Sequence, residues 1–180
     1  MISALFQKIA LPALAAAAAA GGSLVARTPA IEVPAYDLAA RSLEASDAAH
    51  QAERAFDKAD HNKDGYLSAD EYAVLGIVSA ELARLNGFIA IDTVTGVRTV
   101  SVPKPVTASL SIAQKAAIRD QARSEYEWIA GDDLRLTRSE FVDSKLEEFI
   151  SIDADRNGIL TGPELSRFAY AQSKLAAVIG

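Results

Sequence analysis

The residues best equipped to do chemistry in this 180-residue chain are carboxylates and amides set at alternate positions of two short segments. Segment 60–71, DHNKDGYLSADE, places side-chain oxygens at Asp60, Asn62, Asp64, Ser68 and Glu71, with Gly65 in sixth place. Segment 153–164, DADRNGILTGPE, repeats the frame with Asp153, Asp155, Asn157, Thr161 and Glu164, and Gly158 is again sixth. A hard cation such as calcium takes roughly six to eight oxygens at about 2.3–2.6 Å, and short carboxylate and amide side chains on alternate residues of a tightly wound loop converge on one such point. The sixth position is where the chain must turn sharply, and glycine enters the left-handed region there without Cβ strain.

Both segments resemble the calcium loop of the EF-hand superfamily. The resemblance implies that the seventh residues, Tyr66 and Ile159, offer backbone carbonyls, and that Glu71 and Glu164 close each site with both carboxylate oxygens. Ser68 with Glu71, and Thr161 with Glu164, also have the spacing of capping boxes that start the exiting helices, with Pro163 tolerated in the first turn. Phe56 and Phe149 stand four residues before the loops, Leu67 and Leu160 at the eighth positions, and Tyr72 and Leu165 directly after. These are the core-facing positions of a helix-loop-helix unit. Two Ca2+ ions per chain are therefore expected, one held by Asp60, Asn62, Asp64, Tyr66, Ser68 and Glu71, the other by Asp153, Asp155, Asn157, Ile159, Thr161 and Glu164. A third segment in the same frame, 129–140 (IAGDDLRLTRSE), keeps Leu136, Thr137, Glu140 and the following Phe141. It has Ile129 and Gly131 where the first two ligands belong and Leu134 in place of glycine. Too few oxygens remain for calcium, so it reads as a vestigial loop with Asp132 and Asp133 in a solvated acidic turn.

Helices must hold these loops. Periodic apolar residues predict them over 37–59, 70–86, 111–130, 140–152 and 163–179. In the second, Val74, Leu75, Val78, Leu82 and Leu85 share a face that is expected to be core. Only residues 141–152 separate Glu140 from Asp153, about 18 Å of helix, so one helix is shared between two loops. This compressed spacing resembles short exported bacterial EF-hand proteins. Residues 88–102, FIAIDTVTGVRTVSV, depart from that pattern: they are rich in β-branched residues and predict a hairpin turning at Thr95-Gly96. Pairing Val94 with Val97 sets Ile89 and Ile91 against Val102 and Val100 on an apolar face, with Ala90, Asp92, Thr99 and Ser101 on a polar one. The expected fold class is mainly α, with EF-hand helix-loop-helix units over 37–180 and an inserted β-hairpin.

Composition narrows the function. Against 18 Lys+Arg stand 24 Asp+Glu, a formal charge of -6, which argues against nucleic acid as a partner and for cations. Absence of cysteine removes disulfides, thiolate catalysis and Cys-type zinc sites. The two histidines, His50 and His61, have no motif-level companions, and there is no HExxH, Walker loop or GxSxG, so no enzyme is expected. Residues 1–26 carry Lys8, then the uncharged run Ile9–Ala26 with Ala18 and Ala20 placed for an A-x-A cleavage site. That order reads as a signal peptide and an exported protein, periplasmic or extracellular. The alternative is an uncleaved anchor through residues 2–26, which would be its sole route to a membrane. The favoured role is a calcium-stabilised structural or adaptor protein. The alternative is a sensor or buffer that changes conformation, against which stands the lack of any methionine beyond Met1. A protein partner would be sought at the hairpin and at Trp128, though nothing in the sequence names one.

Overall fold

The computed structural model describes residues 38–103 and 109–178; the expected signal segment 1–26 lies outside them. Five helices dominate: α1 (Ala45–Ala59), α2 (Ala69–Asn86), α3 (Ile112–Ala130), α4 (Arg138–Ile152) and α5 (Gly162–Gln172). Between and before them lie β1 (Ser42–Glu44), β2 (Tyr66–Leu67), β3 (Phe88–Thr93), β4 (Gly96–Ser101), β5 (Leu136–Thr137) and β6 (Ile159–Thr161). The fold is mainly α. Ser68, Ser111 and Thr137 each accept a hydrogen bond from the third helical residue, whose side chain bonds back, so capping boxes start α2, α3 and α4. α2 stops at Gly87, whose φ of 74° ends it in the left-handed region.

The two halves of the chain follow one structural frame at a fixed offset. Asp60 and Asp153 are 93 positions apart, and the same interval relates Leu43 to Leu136, Phe56 to Phe149, Leu67 to Leu160 and Glu71 to Glu164. Each half runs strand, 15-residue helix, loop, strand, helix. The strands then pair across the halves: β1 with β6, Leu43 opposite Leu160, and β2 with β5, Leu67 opposite Leu136. All four leucines are fully buried. Segment 60–71 is thereby tied to the vestigial segment 129–140, and segment 153–164 to residues 42–44.

Each crossing pair sits over its own apolar cluster. Under β2 and β5, Phe56 and Tyr72 meet the Phe141 ring edge to face at 5.9 and 6.1 Å, with Tyr126 and Ala130 from α3 beside them. Under β1 and β6, Phe149 meets Phe168 at 6.1 Å, joined by Ile118, Ile91, Val100 and Leu175. Helices α1 and α4 supply both clusters: Ala48 and Phe149 to one, Ala52, Phe56 and Phe141 to the other.

Several expectations are corrected. The first helix begins at Ala45 rather than 37, because β6 draws residues 42–44 into a strand; Leu38, expected on the helix, is 43% exposed. The last helix ends at Gln172, and a left-handed Lys174 leads into a short 3-10 turn over Leu175–Ala177. In α2 the face assigned to the core is largely outside: Val74, Val78, Leu82 and Leu85 are each about half exposed. What α2 buries is its small-residue face, Ala73, Gly76, Ala80 and Ala83, because that face allows close approach to α3. A Cβ on Gly76 would stand 3.4 Å from Ile118 Cγ2. Trp128 on α3, one of the places where a partner would be sought, is 88% exposed.

The hairpin exists with its register shifted by two. Thr93 pairs with Gly96 and Ile89 with Val100, so the turn is Val94-Thr95 rather than Thr95-Gly96. An even shift preserves which face each residue occupies, and Ile91, Val100 and Val102 are buried as expected. The Thr93 hydroxyl donating to the Gly96 carbonyl at 2.5 Å closes the turn. Both hairpin edges are covered. Residues 38–40 run parallel to β4, with Ala40 N–H donating to Thr99 O and Thr99 N–H to Leu38 O. On the other edge, α1 side chains take the free amides of β3 and its turn: Gln51 accepts from Asp92 N–H at 2.6 Å and Asp47 from Val94 N–H at 3.0 Å. Asp92 also pairs with Lys58 at 2.7 Å. The polar face is therefore partly an anchor to α1.

Candidate metal centres

Both segments fold by turning their own amides toward their own acidic side chains. In 60–71, Asp60 Oδ1 and Oδ2 accept from Asp64 and Gly65 N–H at 3.2 and 3.0 Å, and Asn62 Oδ1 accepts from Asp64 N–H at 2.9 Å. Asp64 Oδ1 accepts from Tyr66 N–H at 3.0 Å, and Glu71 Oε1 reaches back across the loop to His61 N–H at 3.1 Å. In 153–164 each of these bonds recurs 93 positions on. Asp153 accepts from Asn157 and Gly158 N–H, Asp155 from Asn157 N–H, Asn157 from Ile159 N–H and Glu164 from Ala154 N–H, at 2.7–3.2 Å. Such bonds fix short side chains so that their remaining lone pairs lie inside the loop.

Backbone conformation explains how so tight a loop closes. Gly65 and Gly158 have φ of 86° and 78°, as the sixth-position requirement predicts, and Lys63 and Arg156 two residues earlier are also left-handed, at 59° and 57°. The seventh residues begin β2 and β6. Their side chains, Tyr66 and Ile159, are each 37% exposed.

Carboxylate oxygens of Asp153, Asp155 and Glu164 lie within 4.8 Å of one another. Anionic oxygens this close repel unless a cation or protons sit among them. Hard oxygen donors without nitrogen or sulfur suit calcium or magnesium rather than zinc. In the other segment, burial by itself would raise the Glu71 carboxyl. Hydrogen bonds from the Ser68 amide and hydroxyl and from the His61 and Asn62 amides outweigh it and hold the group below the ordinary range, hence anionic. The segments differ at the ninth position: Ser68 Oγ both donates to Glu71 Oε2, at 2.8 Å, and caps α2, whereas Thr161 makes no side-chain cap bond to α5.

The vestigial segment is built differently. Residues 131–133 form a 3-10 turn, Leu134 is left-handed at 52°, and the Tyr126 hydroxyl donates to its carbonyl. Asp132 and Asp133 are exposed, and Glu140 is engaged in capping Thr137, at 2.9 Å to the amide and 2.7 Å to the hydroxyl. Residues 42–44 have the matching place in the first half, with Glu44 and Asp47 forming the box that starts α1. Sequence reading missed this fourth unit, although aligning the halves at the offset would have placed Leu43 and Asp47 under Leu136 and Glu140.

Among known families, residues 53–75 match the model of the EF hand, which spans the end of α1, the first loop and the start of α2. That match supports calcium binding by this part of the chain. No curated protein and no solved structure matches the chain.

Proposed function

We propose that the chain binds two calcium ions, one in segment 60–71 and one in segment 153–164. The observation that carries this reading is the recurrence of the same five loop hydrogen bonds around both oxygen sets, although the family match covers the first segment alone. Asp60, Asn62, Asp64, Ser68 and Glu71 would hold one ion with the Tyr66 carbonyl. Asp153, Asp155, Asn157, Thr161 and Glu164 would hold the other with the Ile159 carbonyl. Calcium supplies charge neutralisation among these carboxylates. Calorimetric titration from low free calcium should return two ions per chain, and Glu71→Gln and Glu164→Gln should each remove one. A wild-type stoichiometry of one or three overturns the assignment.

The role we assign is structural, in an exported protein from which residues 1–20, or a few more, are removed. Cross-half pairing supports it: each acidic loop is tied by a strand to the other half, so an ion in either loop stiffens both. A sensor role is the second reading, favoured by the half-exposed row Val74, Val78, Leu82 and Leu85 on α2. Amide spectra of the calcium-free and loaded protein separate the two: a wholesale change in α2 means sensor, stiffening confined to the loops means scaffold. Intact mass of the protein from its native host tests export, since retention of Met1 excludes cleavage.

A further inference from the structure

A cavity of about 680 Å³ opens between α1, α2 and β3 and reaches down to α4 and α5. Its size falls in the range of roughly 300–1,000 Å³ typical of small-molecule sites. The walls are mainly apolar, with Ala48 and Ala52 of α1, Leu75 and Val78 of α2, and Phe88 and Ile89 at β3, while His61, Asp70 and Glu71 line the cavity where it meets the first loop. The inner end is different. Lys145 of α4 and Lys174 line it together with Gln172, whereas their carboxylate neighbours Glu125 and Glu148 do not. Lys174 pairs with Glu125 at 2.7 Å, but Lys145 reaches Glu148 at 3.4 Å. An ammonium group carries three donors, so the long contact to Glu148 and the Phe141 ring face 5.7 Å away leave Lys145 with capacity for another acceptor. Both lysine side chains are at most 15% exposed, so an anion meeting them would do so largely out of water, where the interaction is strong.

We propose that this cavity is a binding site for a single-chain amphipathic carboxylate, its apolar chain lying between α1 and α2 and its carboxylate at Lys145 and Lys174. Charge complementarity selects the head group and the apolar walls select the chain. Burial holds the Lys145 ammonium below its ordinary range, against the pull of Glu148, and an arriving anion would favour its charged form. Glu71, a ligand in the proposed calcium site, also lines the cavity, so binding is measured both with and without calcium.

Dodecanoate, below its micellar concentration, is the probe, with dodecanol as the neutral control, titrated into the full chain in EGTA and again at a free calcium low enough to keep the calcium soap in solution. One dodecanoate per chain is expected in at least one condition, tighter than dodecanol by about tenfold or more. Affinity should rise up to about fourfold per methylene along the series from octanoate. Lys145→Met should abolish the preference for dodecanoate while leaving dodecanol binding in place. Val78→Asp, at a half-exposed wall position that leaves the core intact, should weaken dodecanoate more than dodecanol and keeps the test open if the lysine variant does not fold. No binding in either condition, several molecules per chain as on a merely greasy surface, or equal loss of both ligands in the variants overturns the proposal.

Discussion

At the scale of single residues, one backbone position decides what each loop can be. Gly158 is left-handed with no atom within 4 Å of where a Cβ would stand, so Gly158→Ala costs only backbone strain, about 1–2 kcal/mol, and should weaken calcium at that loop. Leu134 is the counterpart in the vestigial segment, left-handed at 52° and 58% exposed. Leu134→Gly therefore relieves strain and loses little burial, and should stabilise by up to about 1 kcal/mol in urea unfolding. If both glycine-to-alanine and leucine-to-glycine changes destabilise, the backbone account is wrong. A second residue-level expectation concerns Glu125. Burial would raise its carboxyl, yet the Lys174 ammonium and the Gln121 amide outweigh that and hold it below the ordinary glutamate range. A carboxyl lowered on folding contributes stability that is complete above its unfolded value near ~4 and is lost as pH falls through the folded one. Lys174→Met should thus move the acid-unfolding midpoint to higher pH, followed by far-UV circular dichroism.

At the scale of elements, the strands of two and three residues do the organising. Leu43 and Leu136 are both fully buried, so replacing either by alanine should cost about 2–5 kcal/mol. Their effects on metal should part ways: Leu43→Ala is expected to weaken the ion at 153–164, which β1 supports, and Leu136→Ala the ion at 60–71, which β5 supports. Titration of each variant in the Glu71→Gln and Glu164→Gln backgrounds isolates the remaining site. The oxygen sets were legible in the sequence because such a loop is local: twelve consecutive residues hold both the oxygen-bearing side chains and the glycine turn that gathers them. Pairing of the loops was not, since strands this short leave no periodicity and join residues far apart in the chain, Leu67 to Leu136 and Leu43 to Leu160. The outward face of α2 was misread because its large apolar residues gave the stronger periodic signal, while the buried face is alanine and glycine. The hairpin was found with its faces right but its turn misplaced, since Thr95-Gly96 is the stronger turn signal and the register slips in steps that keep each face.

At the scale of the whole molecule, the crossing of the halves determines how calcium and stability are linked. A ligand that binds only the folded state adds RT ln(1 + [L]/Kd), about 2.7 kcal/mol at a hundredfold excess over Kd. If the two halves folded separately, Glu71→Gln would destabilise one half and split the melting curve. The architecture forbids that split. α1 and α4 each run through both apolar clusters, and each loop's strand partner belongs to the other half, so neither cluster can open while its neighbour stays packed. Calorimetry of wild type, Glu71→Gln and Glu164→Gln in saturating calcium should therefore show one transition in every case, displaced downward in each variant, with wild type in EGTA lower still. Two resolved transitions in either variant would mean that the clusters unfold independently and that calcium in one loop is felt by its own half alone.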